Sequence, residues 1–200
     1  MRVFFGVGRD FGRFSPLLAP PKTSTTMSKI EKSCRFASPH YQWMHRRYDD
    51  TVAPDKHFVC YTDGSCDNLK APHVGAYAFV RLHDGVEVET FSRSGVNTTN
   101  NRMEMLAIIE AIDHCPDGSV IDVYSDSDLS IRVFSYEWAC KTNQDLLRLF
   151  VASCKRHEAV RLHWIKGHNG DKYNEMADNL AYSAYCEKCN ELGVEVNPRH

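Results

Sequence analysis

The chain lacks three features that would assign it to a common class at once: a long apolar run, a secretory signal and a strong net charge. No stretch of its 200 residues is apolar enough to cross a bilayer, so we expect no membrane segment. Without a clear secretory signal, the eight cysteines indicate a reducing compartment, and we expect the cytoplasm. An apolar fraction of 42% suffices for one domain with a real core, and we expect a monomer.

A second pair of closely spaced cysteines is also missing. Cys186 and Cys189 have the spacing of metal ligands, but they lie within a helical pattern. Because a structural zinc site needs four ligands, we interpret both as ordinary helix residues.

The formal net charge of −2 conceals an uneven distribution. Residues 1–57 carry ten Lys/Arg against five Asp/Glu, whereas residues 58–200 carry fourteen against twenty-one. The second part, with its charge of −7, should not attract a polyanion strongly by itself. Metal ions bound among its carboxylates would reverse the sign of the potential locally.

Residues 1–56 are predicted to be a largely irregular, net basic extension, because no period of 2 or 3.6 persists there. Residues 1–26 contain one acid and three arginines, as organelle transit peptides do. Since no amphipathic helix is evident, we favour an irregular extension or translation from Met27. Residues 40–48 mix bases with aromatics, which is typical either of a hybrid-binding segment or of an anchor packed on the domain.

From residue 57 to residue 193 the pattern predicts one α/β domain, followed by a tail at 194–200. The predicted strands are 58–66, 75–82, 86–96, 119–124 and 160–166, and the predicted helices are 101–114, 128–138, 144–157 and 174–192. The order βββαβααβα predicts a mixed five-stranded sheet, three strands antiparallel and then parallel additions, flanked by helices.

Four acids occupy settings that direct their carboxylates to one place. Asp63 and Asp126 follow apolar strands, whose carboxyl ends form the mouth of the site in an open sheet. Glu104 and Asp178 lie in early turns of predicted helices. Converging carboxylates repel one another, and proteins tolerate this mainly when hard cations lie between them. The pattern therefore indicates a magnesium-dependent phosphodiester enzyme.

Each acid also has a plainer interpretation when it is taken singly. Asp63 could hold a turn, Glu104 could complete a capping box, Asp126 could cap a helix and Asp178 could be solvated. The four together, in order, favour a site over four unrelated structural roles.

Four ordered motifs make residues 57–190 resemble the type 1 ribonuclease H family, whose members carry the ribonuclease H-like fold. The motifs are Thr62-Asp63-Gly64-Ser65-Cys66, Thr98-Thr99-Asn100-Asn101-Arg102-Met103-Glu104, Ser125-Asp126-Ser127, and Lys166-Gly167-His168-Asn169-Gly170 followed by Asn174, Glu175 and Asp178. The resemblance implies an endonuclease that hydrolyses the RNA strand of RNA–DNA hybrids, leaving a 5′ phosphate and a 3′ hydroxyl.

The same resemblance implies the cofactor and the catalytic roles. Asp63 would bridge two Mg²⁺ ions, with Glu104, Asp126 and Asp178 completing the coordination, and Mn²⁺ could substitute. One ion would activate the attacking water and the other would stabilise the departing 3′ oxygen. His168, in its glycine-flanked loop, would assist water activation or product release.

Substrate contacts are implied at Asn68, Thr99, Asn100, Asn101 and Asn174. Amides at Asn100 and Asn101 can both donate to and accept from a 2′-hydroxyl, the group that distinguishes RNA from DNA. The chain departs from the family pattern at Asn97 and Asp128, and only residues 139–142 separate two predicted helices. The basic protrusion of some members is thus missing, and the basic segment 29–48 is a candidate replacement for its phosphate contacts.

Two alternative functions stay open on the sequence. A nuclease or transposase-like enzyme acting on DNA would share the fold, but would leave Asn100, Asn101 and the His168 loop unexplained. A non-catalytic hybrid-binding module would also share it, although such a module would not be expected to keep all four acids and His168.

Overall fold

The structure, a computed structural model, describes residues 35–36 by their backbone and residues 54–198. One sheet contains six strands in the order β1-β6-β5-β2-β3-β4. The strands are β1 (Arg35–Phe36), β2 (His57–Cys66), β3 (Gly75–His83), β4 (Val86–Gly95), β5 (Val120–Ser125) and β6 (Ala159–Trp164). The helices are α1 (Asn100–Asp113), α2 (Asp128–Phe134), α3 (Gln144–Cys154) and α4 (Lys172–Leu192).

The strand directions follow the predicted topology. Strands β2, β3 and β4 pair antiparallel, while β5 pairs parallel with both β2 and β6. The predicted ribonuclease H-like arrangement of five strands and four helices is confirmed. Strand β1 is an addition to it: Arg35 pairs with Leu162 at the outer edge of β6. Residues Pro54–Lys56 of the extension form one turn of 3₁₀ helix, and its other residues lie outside the described part of the chain.

Strand alternation divides the side chains between two layers of helices. Along β2, Phe58 and Cys60 enter the main core, which includes Ile108 of α1 and Phe150 of α3. The opposite face of the sheet packs on α4, where Val80 and other apolar side chains contact its inner surface. The site-bearing strands are therefore held between helices, which fixes the position of their ends.

Helices α1, α2 and α4 differ from their predicted bounds for local reasons, and α3 ends at Cys154 rather than at residue 157. The sequence predicts a cap for α1 at Asn101 or a neighbour, and the cap is Thr99, whose hydroxyl accepts from the Arg102 N–H at 3.4 Å. Helix α2 ends before residue 138, because Tyr136 adopts a positive φ of 59°. Helix α4 begins two residues early, because the Asp171 carboxylate accepts from the backbone N–H of Asn174.

Helix α3 starts as predicted after Asn143, but that residue does not cap it. Asn143 has φ 58° and makes no side-chain capping bond. Its side-chain oxygen instead accepts from Arg102 at 3.0 Å, which ties α1 to the start of α3.

None of the helices within residues 54–198 combines the length and apolarity needed to span a bilayer. The predicted domain limits at residues 57 and 193 stay predictions.

Candidate active site

The four predicted acids lie around the carboxyl ends of β2 and β5. Thr62 pairs with Ser125 across these parallel strands, so Asp63 and Asp126 follow at equivalent levels. Glu104 and Asp178 approach from the second turns of α1 and α4. All four acids therefore lie at one end of the sheet, and their role as metal ligands stays a prediction.

Asp63 is the most strongly perturbed of the four carboxyl groups. Burial raises its pKa well above the ordinary value, and the negative charges of Asp126 and Asp178 raise it further. Asp63 also shares a hydrogen bond with Asp178, which favours the protonated form of Asp63. Direct interaction between these carboxylates shows that three of the acids occupy one small volume.

Glu104 is held by one donor on each carboxylate oxygen. The Asn100 amide donates to one oxygen at 2.8 Å, and the hydroxyl of Ser127 donates to the other. Burial and the charge of Asp126 nevertheless raise the pKa of Glu104, against these two donors. Glu104 therefore joins the same electrostatic cluster through Asp126.

Asp126 lies between the remaining acids and the loop before α4. Burial is the largest cause of its raised pKa, and the charge of Asp178 raises that pKa further. A hydrogen bond from Asn174 and the charge of His168 lower it. His168 is exposed and has a positive φ of 51° in this loop. The histidine therefore interacts with the acidic cluster from its solvent side.

Two glycines of the motifs allow neighbouring parts of the chain to pack closely around the site. A Cβ on Gly64 would lie 2.5 Å from the backbone nitrogen of Glu104, so β2 and α1 touch there without a side chain between them. A Cβ on Gly167 would overlap a carboxylate oxygen of Asp126. Because the atoms that face Gly64 belong to the backbone, that position requires glycine, whereas a Cβ at position 167 would force the Asp126 carboxylate to move.

The predicted substrate-binding residues fall into two groups. The side-chain oxygen of Asn68 accepts from the backbone N–H of Asn100 at 3.0 Å. These two residues lie at the start of α1 beside Glu104, together with the helix cap Thr99 and the exposed Asn101. Asn174 lies apart from this row.

Asn174 is only 3% exposed, and its side chain donates to Asp126 beneath the site. Its carbonyl oxygen has no hydrogen-bond partner among the described residues. An unpaired buried oxygen beside clustered carboxylates is unfavourable unless another group approaches it.

These observations test whether a divalent cation fits the site. The donor set is all oxygen, as Mg²⁺ prefers. Burial, and to a smaller extent the charges of neighbouring carboxylates, raise the pKa values of Asp63, Glu104 and Asp126, and a cation would oppose both effects. Within residues 54–198, no three Asp, Glu, His or Cys side chains are already arranged as a metal site. The oxygen donors of these residues fit the chemistry of the ion.

A second polar cluster lies on the α4 face of the sheet, towards the start of the strands. The buried Asp122 of β5 accepts from His57 and His163, each at 2.6 Å, and pairs with the buried Arg161. One level higher, Tyr124 stacks between Tyr61 and His163. This layer of rings separates the ionic cluster from the carboxylates of the site.

Sequence reasoning did not predict the contact of Ser127 with Glu104 or the packing roles of Gly64 and Gly167. Ser127 could have been noticed because it follows Asp126 directly and caps α2. The glycine contacts join distant parts of the chain, so no local pattern reports them.

The fold and the acidic cluster together define a nuclease, a hydrolase of phosphodiester bonds. The family model described as RNase H matches residues 55–185. The chain belongs to the ribonuclease H family, and its resemblance to the type 1 members is confirmed.

Bacterial relatives show how far the similarity extends. The chain is 36% identical over 138 residues to the ribonuclease H of a Campylobacter jejuni strain, covering 64% of this chain and 91% of that protein. It is 34% identical over 139 residues to ribonuclease HI of a Synechocystis species, covering 62% and 85%. It is 37% identical over 145 residues to ribonuclease H of Afipia carboxidovorans, covering 66% and 94%.

Proposed function

We propose that this protein hydrolyses the RNA strand of RNA–DNA hybrids endonucleolytically, leaving a 5′ phosphate and a 3′ hydroxyl. The observation that supports the proposal is the grouping of Asp63, Glu104, Asp126 and Asp178 at one end of the sheet, where burial, and to a smaller extent the charges of neighbouring carboxylates, raise the pKa values of the first three. Membership of the ribonuclease H family supplies the substrate class.

The four acids hold two divalent cations in this proposal, with Asp63 shared between them. When bound, the cations neutralise the charge of the scissile phosphate, activate the attacking water and stabilise the leaving 3′ oxygen. Mg²⁺ suits the oxygen ligands, and Mn²⁺ can replace it.

The remaining site residues orient the acids and handle protons. Asn100 and Ser127 fix the Glu104 carboxylate, and Asn174 fixes Asp126 from below. His168 approaches Asp126 from solvent on a loop, where an imidazole can carry a proton away from the reacting water or from the product.

Selection of the RNA strand is assigned to the start of α1. Glu104 can accept a hydrogen bond from a 2′-hydroxyl, while Asn68, Thr99, Asn100 and Asn101 offer donors and acceptors along the same edge. A DNA strand lacks the 2′-hydroxyl and would leave these groups without that partner.

A labelled-strand assay tests the proposal. The full chain is incubated with an RNA–DNA hybrid, duplex RNA and duplex DNA, each strand labelled in turn, with Mg²⁺ or with EDTA. We expect cleavage of the RNA strand of the hybrid alone, and only with Mg²⁺. Cleavage of duplex DNA would favour a DNA nuclease, and hybrid binding without cleavage in any divalent cation would favour a binding module.

We also propose a reducing compartment, the cytoplasm, as the site of action. All seven cysteines among the described residues carry free thiols. Cys60 and Cys115 lie 3.9 Å apart as thiols in the core, as is typical of proteins kept reduced.

A further inference from the structure

Trp164 is a large apolar residue whose side chain is partly exposed beside the acidic site. It is the last residue of β6 and pairs with Ser125, which immediately precedes Asp126. The residue is 48% exposed, although Val160 and Leu162, on the same face of β6, are fully buried in the core. The indole therefore lies where the sheet ends and the site begins.

The orientation of the ring is fixed rather than free. The indole N–H of Trp164 donates to the backbone oxygen of Asp126 at 3.0 Å. The next residue, Ile165, donates its backbone N–H to Ser125 at 3.0 Å, which anchors the strand end from the other side. No other ring or cation within the described part of the chain packs on the indole. An anchored ring with an open face is preorganised to receive a flat or apolar surface.

We propose that Trp164 is a substrate-contacting residue that packs its open face against the nucleotide adjoining the scissile phosphate on the Asp126 side. This inference rests on the proposed function and adds a residue to it. Sugars and bases both offer an apolar or π surface to an aromatic ring, so the contact requires no particular sequence.

A non-ionic contact is especially valuable in this protein because its domain is acidic. Residues 58–200 carry a net charge of −7, and residues 135–143, which connect α2 to α3, contain one basic side chain, Lys141. Phosphate contacts from basic side chains weaken as salt rises, whereas packing on an indole does not depend on released counterions. Trp164 therefore contributes affinity that salt does not remove.

Steady-state kinetics on the hybrid separate two roles for Trp164. Trp164→Ala removes the ring, whereas Trp164→Phe keeps a ring face but removes the N–H that anchors Asp126. We expect Trp164→Ala to raise KM about tenfold at both low and high salt, and Trp164→Phe to restore most of that loss. Leu192→Ala, at the far end of α4 and 45% exposed, is the matched control and should leave KM unchanged.

Two kinetic outcomes would overturn the inference. An unchanged KM for Trp164→Ala shows that the ring does not contact substrate. Equal losses of kcat in the Ala and Phe variants, with KM unchanged, show that Trp164 acts only by holding Asp126.

Fluorescence tests the contact without requiring turnover. The chain has three tryptophans, at positions 43, 138 and 164, so the variant Trp43→Phe/Trp138→Phe leaves Trp164 as the sole indole. With Asp63→Asn added to block cleavage, saturation with hybrid should quench and shift the Trp164 emission. Unchanged emission on saturation overturns the inference even if the parent enzyme cuts hybrid. A parent that neither binds nor cuts hybrid overturns both this inference and the proposed function.

Discussion

At the scale of single residues, the unusual feature is a set of carboxyl groups placed where each disfavours the charge of another. Asp63 illustrates this, because burial and the neighbouring Asp126 and Asp178 all raise its pKa. A carboxyl group with a raised pKa stabilises the fold at low pH and loses that contribution as pH rises through the raised pKa. The metal-free site is therefore a source of instability near neutral pH.

Replacing Asp63 by Asn tests both the instability of the metal-free site and the stabilisation that Mg²⁺ should give. Without divalent cations at pH 7, we expect Asp63→Asn to unfold at a higher temperature than the parent, by about 2–4 °C for each kcal/mol gained. The difference should shrink as pH falls, because the parent carboxyl then becomes protonated. Thermal unfolding from pH 5 to pH 8, with and without Mg²⁺, measures both effects.

Asp84→Asn serves as the control, because Asp84 is exposed in the turn between β3 and β4. It should change neither the melting temperature nor cleavage. Mg²⁺ should stabilise the parent more than Asp63→Asn. A metal-free Asp63→Asn protein that is less stable than the parent at pH 7 would contradict the assigned repulsion.

At the scale of secondary-structure elements, the site depends on direct contact between β2 and α1. Gly64 makes this contact possible, since its Cα lies against the backbone of Met103 and Glu104. Backbone atoms on both sides leave no flexible side chain that could move away. A larger residue at position 64 must therefore displace the helix that carries Glu104.

Gly64→Ala should accordingly reduce activity at least a hundredfold and destabilise the fold by about 1–3 kcal/mol, the usual cost of overpacking. Gly95→Ala is the matched control, because a Cβ there meets nothing within 4 Å and its φ is not positive. Urea unfolding and hybrid cleavage measure the two consequences. Equal behaviour of the two alanine variants would show that the β2–α1 contact is not needed.

The second polar cluster, formed by Asp122 with His57, Arg161 and His163, joins β2, β5 and β6 away from the site. Asp122 has a strongly lowered pKa: the hydrogen bonds from His163 and His57 and the charge of Arg161 outweigh the opposing effect of burial. A lowered pKa means that its stabilisation is fully present above about pH 4, the ordinary range of an aspartate, and is lost as pH falls towards the folded-state pKa. The cluster thus stabilises the sheet throughout the neutral range.

Asp122→Asn should destabilise the protein at pH 7 by about 3–5 kcal/mol, because it removes the charge of the buried carboxylate that pairs with Arg161. Asp117→Asn is the control. The side chain of Asp117 is 77% exposed, and its ion pair with Arg156 should contribute only about 0–1 kcal/mol. Urea unfolding at pH 7 compares the two variants. A cost for Asp122→Asn no larger than that for Asp117→Asn would contradict this description.

The elements were predictable to different degrees for physical reasons. Strand β2 alternates buried and less buried residues, β5 is a short apolar run and α4 is a long helix, so all three could be predicted from the sequence. Strand β1 did not, because a two-residue strand has almost no pattern of its own and exists through pairing with β6. The early end of α2 depends on the left-handed backbone at Tyr136, which its residue type does not announce.

The candidate site shows the same division between local and distant information. The four acids were found because each lies in a recognisable local setting. Ser127 and Asn174 act on acids from other parts of the chain, so their contacts with Glu104 and Asp126 required the fold. Burial, which sets the pKa of Asp63, is likewise a property of the whole arrangement.

At the scale of the whole molecule, charge is divided between two parts of the chain. The domain is acidic, and the first 57 residues are basic with a net charge of +5. Strand β1 ties this basic part to β6, the strand that ends at Trp164 beside the site. Segment 29–48, apart from residues 35–36, lies outside the described residues, and its role in binding phosphates stays a prediction.

Deleting residues 1–56 should therefore raise KM for the hybrid and flatten its dependence on salt, because fewer phosphate contacts release fewer counterions. The kcat should change little, since all four acids remain. Kinetics of the full chain and of residues 57–200 between about 50 and 200 mM salt give the two slopes. Identical slopes and KM values would exclude this role for the extension.

Diffraction from crystals grown with Mn²⁺ tests the central claim most directly, because anomalous scattering locates the ion itself. We predict two anomalous peaks about 3.5–4 Å apart. Asp63 should lie between them, and Glu104, Asp126 and Asp178 should complete the coordination. A site free of anomalous signal at saturating Mn²⁺, or peaks that contact none of these carboxylates, would contradict it.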